Sequence, residues 1–108
     1  MVTAAGFVAG QIVATYRVPA STRYSDRLAT FERETLPRCA DVVLVGSSSI
    51  KRWDIKAAFP DHVAINRGLE AAEVADVRSL LPRLVQGVRS KAVLLYIGEN
   101  DVARGRNP

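Results

Sequence analysis

The segment Asp41-Val-Val-Leu-Val-Gly-Ser-Ser-Ser-Ile-Lys-Arg-Trp53 narrows the possible folds more than any other part of this chain. Residues 42–45 are an unbroken run of β-branched and Leu side chains, the pattern of a strand buried on both faces of a parallel sheet. Gly46 ends the run, three hydroxyls follow, and Ile50 and Trp53 then mark an amphipathic turn. A strand that stops at Gly and hands a serine to the start of a helix exposes that hydroxyl at the C-terminal edge of a sheet. Ligands collect at that edge in open α/β folds. Ser48 is therefore the first candidate nucleophile.

The neighbouring segments fit a parallel sheet. Tyr24, Leu28 and Phe31 recur at i, i+4 and i+7, one apolar face of a helix that must end before Pro37. Residues 54–59 read as a short helix stopped by Pro60, and residues 62–66 as a second short buried strand ended by Arg67-Gly68. Val74, Val77, Leu81, Leu84 and Val85 give a helical stripe over 73–86, with Pro82 expected to kink it or end it early. Residues 91–97 are the third buried strand, and 98–101 the loop at its end. The order is α, then β-α-β-α-β, with connections long enough for parallel crossovers. Loops 46–50, 67–72 and 98–101 all leave strand C-termini, so the topology gathers them at one edge.

Residues 1–16 carry no charge and contain Gly6-x-x-x-Gly10. They read in two ways, as a helix packed on the domain or as the end of a membrane anchor. A 16-residue helix would reach about 24 Å, short of a hydrocarbon core of about 30 Å. An anchor would imply an exported or membrane-attached protein, and a packed helix a cytoplasmic one. Residues 1–20 are thus an apolar segment and linker, and 21–108 the domain.

Composition narrows the classes further. At 108 residues the chain is one domain, and its net charge of +4 comes from arginines scattered singly. Nucleic-acid binders cluster their cations on one face, so no nucleic-acid partner is expected. Cys39 is the lone cysteine and His62 the lone histidine, which leaves no disulfide and no metal-ligand cluster. A Ser-x-x-Lys match at Ser48 and Lys51 lacks the companion motifs of penicillin-binding proteins. No phosphate loop or Gly-x-Gly-x-x-Gly is present.

Three blocks taken together resemble the SGNH (GDSL-like) hydrolase superfamily: Gly46-Ser47-Ser48-Ser49-Ile50 with Trp53, Ile65-Asn66-Arg67-Gly68, and Gly98-Glu99-Asn100-Asp101. The similarity runs from about residue 24 to the C-terminus. It implies a three-layer α/β/α flavodoxin-like fold and hydrolysis of carboxylic esters, whether of lipids, acetylated sugars or small acyl groups. It implies no cofactor and no metal. By the same resemblance Ser48 is the nucleophile, Asn100 donates to the oxyanion, and Ala71 stands where the family's last glycine supplies an N–H. Ser47 takes a position that is often Asp.

Such residues belong together because acyl transfer needs a nucleophile, a base and donors aimed at the developing oxyanion. Two departures follow. Alanine at 71 costs about 1–2 kcal/mol if the site demands a left-handed backbone. Glu70, if it points inward, opposes an oxyanion ~6 Å away by roughly 3 kcal/mol at an effective dielectric of ~20. The family's base lies in a downstream Asp-x-x-His block with no counterpart here, and His62 falls at the opposite sheet edge. The resemblance also implies five strands, whereas three are visible. The chain therefore reads as the N-terminal portion of such a domain, truncated after the third strand and weakly active or inactive alone. The alternative is a non-catalytic remnant that serves as a ligand-binding or interaction domain. The partners expected are a small-molecule ester, a membrane through residues 1–16, and a second copy through the uncovered edge of the third strand.

Overall fold

A computed structural model describes residues 2–8, 11–16 and 18–106, the first two segments at the level of the backbone. Met1, Ala9, Gly10, Arg17, Asn107 and Pro108 lie outside the described residues. The chain opens with a hairpin of β1 (Val2–Val8) and β2 (Gln11–Tyr16), then α1 (Ala20–Arg23) and α2 (Ser25–Arg33). Next come β3 (Cys39–Gly46), α3 (Ser48–Lys51), α4 (Ile55–Ala58) and β4 (Ala64–Gly68). The chain continues through α5 (Val74–Leu84), β5 (Arg89–Tyr96) and α6 (Glu99–Ala103).

β4, β3 and β5 form a parallel sheet in that spatial order, with β3 in the middle. Val43 faces Ile65 on one side and Val93 on the other, and Gly46 faces Gly68 and Tyr96. The crossover from β3 to β4 and the one from β4 across to β5 run in opposite directions along the sheet, so right-handedness places α3–α4 and α5 on opposite faces. This is an α/β fold with helices flanking an all-parallel sheet, as expected. Val43 and Val45 pack with Leu28 and Phe31 of α2, Leu69, and Val77, Leu80 and Leu84 of α5 in one buried cluster. Leu44 points to the other face and is also fully buried.

Several expectations needed correction. A helix over residues 1–16 does not form; the segment is an antiparallel hairpin in which Val8 faces Gln11 and Phe7 faces Ile12. Val2, Thr3, Phe7, Val8, Ile12, Val13, Thr15 and Tyr16 are β-branched or aromatic, and a two-residue separation suits a tight hairpin. Among the described residues, no helix is long and apolar enough to cross a membrane. The helix expected before Pro37 breaks at Tyr24 (φ −106°, ψ 18°) into α1 and α2. The second strand starts at Ala64 rather than His62, because the Val63 amide is taken by Asp41 Oδ2 at 2.7 Å. α5 carries Pro82 in its last turn and ends two residues later. The loop expected at 98–101 winds into α6 after Gly98, whose φ of 120° glycine tolerates.

β5 departs most from its pattern. Its run of apolar residues predicts burial, yet Val93, Leu94, Leu95 and Tyr96 are all exposed.

Candidate active site

The site is built where β3 and β4 end side by side. Gly46 closes β3, and Ser47, fully buried, turns the chain so that Ser48 opens α3. The amides of Ile50 and Lys51 bond back to the Ser47 carbonyl at 3.1 and 3.0 Å. Asn66 of β4 then fixes α3 from beside. Its Nδ2 donates to the Ile50 carbonyl at 2.6 Å, and its Oδ1 accepts from the Gly68 amide at 2.8 Å. One side chain therefore joins the Ser48 turn to the strand end next to it.

Two glycines make this approach possible. A Cβ on Gly46 would lie 2.1 Å from the Tyr96 carbonyl oxygen, and one on Gly68 would lie 2.2 Å from the Lys51 amide nitrogen. Both clashes are with backbone, which cannot step aside. Beyond Gly68 the chain stays against β3, with the Leu69 amide bonded to the Gly46 carbonyl at 2.8 Å.

The next residues meet the serine. The Ala71 amide donates to Ser48 Oγ at 2.8 Å, and Ser48 Oγ donates to Glu70 Oε1 at 3.0 Å. Ala71 has φ 55°, and among the described residues no other non-glycine has a positive φ. Strain of this kind concentrates at functional sites. The left-handed backbone considered from the sequence is thus present, and Ala71 bears its cost. Tyr24 holds the same loop from the break between α1 and α2, its hydroxyl donating to the Glu70 carbonyl at 2.7 Å.

Glu70 does point inward, but it is not a bare charge. Arg52 Nη2 lies 2.5 Å from its Oε1 and Lys51 Nζ 3.6 Å from its Oε2. The Ser48 hydrogen bond first, then the charges of Arg52 and Lys51, hold its carboxyl below the usual glutamate range. The repulsion expected on an oxyanion is offset by these two cations. Their positions had a signal in the sequence: Lys51 and Arg52 follow Ser48 at i+3 and i+4, on its own side of a helical turn. The charge of Glu70 could be counted in the sequence, but its direction could not.

Asn100 reaches the same loop one residue further on. Its Nδ2 donates to the Ala72 carbonyl at 2.9 Å rather than to the serine. Asp101 is buried and accepts from the Val74 amide at 3.0 Å, tying α6 to the start of α5. Arg104 donates to the Ala71 carbonyl at 3.3 Å and pairs with the buried Glu73 at 3.0 Å, while Arg106 reaches Glu73 at 2.8 Å. Neither arginine was singled out from the sequence. The structure therefore brings Ser48, Glu70 and Ala71 into direct contact and places Asn100 against the adjoining carbonyl. His62 is exposed beyond the opposite edge, just before β4.

Ser48 is half-buried and open to solvent. The Ser47 hydroxyl behind it is buried and has no hydrogen-bond partner among the described residues. Elsewhere, a concavity lined by Phe31, Glu34, Arg67 and Arg83 holds no nucleophile. There Arg67 stacks on Phe31 at 4.2 Å and pairs with Glu34 at 3.1 Å, which reads as packing rather than chemistry.

No protein-family model matches the chain, and no curated protein matches it. Among solved structures it is similar to a protein from Streptococcus pneumonia described as "a putative platelet activating factor", with a TM-score of 0.66 and 15% identity. The match covers 80% of this chain and 40% of the other, so the shared part is less than half the length of that neighbour. The likeness establishes a shared α/β architecture.

Proposed function

We propose that this chain carries the nucleophile half of an SGNH-type serine hydrolase acting on carboxylic esters of lipids, acetylated sugars or small acyl groups. One observation carries the reading. At the C-terminal edge of a parallel sheet, Ser48 Oγ sits between a carboxylate that accepts its proton's hydrogen bond and the strained Ala71 amide that donates to it. In this reading the Ala71 N–H turns from the resting serine to the oxyanion once Ser48 attacks. Asn100, which reaches that loop from α6, supplies a neutral second donor. The fold shared with the solved neighbour supports the reading at the level of architecture.

A second reading, a non-catalytic ligand-binding or interaction domain, is favoured by one contact: the Asn100 amide is already engaged by Ala72. Turnover separates the two. A short-chain nitrophenyl ester is expected to be hydrolysed slowly, and a fluorophosphonate to label the protein. Ser48→Ala should abolish both signals, while Ser47→Ala and Ser49→Ala keep them. Hydrolysis that survives Ser48→Ala sinks the hydrolase reading.

A further inference from the structure

We propose that Tyr24 is a positioning residue of this site, which holds the Glu70–Ala71 peptide in the one orientation that aims the Ala71 N–H at the reacting centre. The inference rests on the hydrolase reading and deepens it.

Residues 69–72 form a turn, closed by the Ala72 amide on the Leu69 carbonyl at 3.3 Å. The peptide between Glu70 and Ala71 is its middle unit. The two commonest turn classes differ by nearly a half rotation of that unit, with the third residue at φ of about −90° in one and about +80° in the other. Alanine prefers the first, because its Cβ crowds a left-handed backbone. Ala71 nevertheless has φ 55°. The turn therefore stands on the side that its own sequence disfavours. On the favoured side the middle unit would be turned over, with its N–H facing away from Ser48. Something outside the turn must make the choice.

The two ends of this peptide show what does. A trans peptide is flat, and its N–H and C=O point in opposite directions. The N–H donates to Ser48 Oγ at 2.8 Å, and the C=O accepts from the Tyr24 hydroxyl at 2.7 Å. Turning the unit over would break both bonds. The Tyr24 end matters more during reaction, since in the hydrolase reading the N–H leaves the serine for the oxyanion while the carbonyl stays where it is. A hydrogen bond to the carbonyl also polarises the unit and makes its N–H a stronger donor. Arg104 holds the next carbonyl, that of Ala71, at 3.3 Å, so it steadies the turn without gripping the unit that can rotate. Tyr24 is itself well fixed. It sits at the break between α1 and α2, its ring packs against the buried cluster, and the Arg23 guanidinium lies 5.5 Å from the ring centre.

The test is kcat and KM for nitrophenyl acetate, measured separately on the full chain for wild type, Tyr24→Phe, Ala71→Gly and the double variant. Tyr24→Phe removes one oxygen and leaves the ring in place. It should lower kcat about 5–10-fold, the ratio set by one net hydrogen bond, with KM nearly unchanged. Glycine takes positive φ as readily as negative, so in the Ala71→Gly background the same change should cost less than about 3-fold. A tyrosine that only stabilised the fold would cost the same in both backgrounds. Amide exchange gives a second readout. The Ala71 N–H should lose protection in Tyr24→Phe while the Leu69 N–H keeps its own, whereas unfolding exposes both. Equal losses in the two backgrounds, a change in KM alone, or an Ala71 N–H as protected as in wild type overturns the proposal. If Ser48→Ala is inactive while Tyr24→Phe keeps the wild-type kcat, only the role of Tyr24 falls. If wild type shows neither turnover nor fluorophosphonate labelling, the hydrolase reading falls and the role of Tyr24 with it.

Discussion

β4 and β5 are paired to the same central strand, in the same parallel sense and in matched register, yet they live in different surroundings. On the β4 side, Ile65, Arg67 and Gly68 are buried, Leu69 beyond them is fully buried, and α3 and α4 pack alongside. On the β5 side, Leu95 and Tyr96 remain 56% and 53% exposed. The hydrogen-bond ladder is therefore not what separates the two flanks; side-chain cover is. The site divides along the same line. Ser48, Asn66, Glu70 and Ala71 belong to the covered flank, where Asn66 and the two glycines fix them. Asn100 follows β5, the bare flank, and is held by contacts that reach back across to α5 and the Ala71–Ala72 backbone.

Truncation of a leucine on each side tests this contrast most severely. Leu69→Ala empties a fully enclosed site and should cost about 2–5 kcal/mol in urea unfolding. Leu95→Ala, on the bare strand, should stay within about 0.5 kcal/mol. Equal costs would mean that the two flanks are packed alike in solution.

A smaller effect concerns association. An apolar edge strand with unpaired backbone groups is a template for another chain, and we propose that β5 pairs with β5 of a second copy. Sedimentation velocity should show concentration-dependent assembly, and Leu95→Lys should return the protein to monomer with its unfolding midpoint nearly unchanged. A wild type that stays monomeric at high concentration breaks this half of the comparison.

The smallest effect lies where the flanks are joined. Asp41 on β3 accepts from the Val63 amide just before β4 and pairs with Lys91 of β5 at 3.3 Å. The Val63 N–H first, then Lys91, hold its carboxyl below the usual aspartate range. A folded-state pKa below the unfolded one means that this stabilisation is full above the ordinary value of about 3.9 and is lost as pH falls through the folded value. The gap in urea midpoint between wild type and Asp41→Asn should be constant from pH 6 to 8 and close at lower pH. A gap that persists at pH 2 would assign the effect to something other than ionisation.

The same contrast explains what could be read in advance. The parallel sense of the strands was legible because each apolar run ended in Gly or a charged residue and each connection was too long for a hairpin, whereas the central place of β3 is implied only by the flavodoxin-like order that goes with the resemblance. Burial of β5 was not, since residues 92–97 have the composition of a doubly covered strand and nothing in them says that cover is absent. The first 16 residues misled through their lack of charge, which drew attention away from their β-branched side chains. At the site, Ala71 could be placed by counting from Asn66, and its left-handed backbone was foreseeable as a condition. The Ser48–Glu70 contact was not, because the direction of a flexible carboxylate is set by Lys51, Arg52 and Tyr24 together, all of them distant from Glu70 in the sequence, Arg52 by 18 positions and Tyr24 by 46.

The glycines at the two strand ends have a consequence for anyone diversifying this scaffold. At Gly46 and Gly68 even a methyl group would sit within 2.2 Å of fixed backbone, so a mutant library spends those two positions on variants that cannot close the turn. Of the residues just beyond them, Leu69 and Ala72 are fully buried and Ala71 meets the serine through its amide, so Glu70 is the position where a side chain decides what the serine meets. The scaffold is thus rigid at both strand ends and permissive at a single position between them. An evolving lineage could alter the serine's surroundings most readily there.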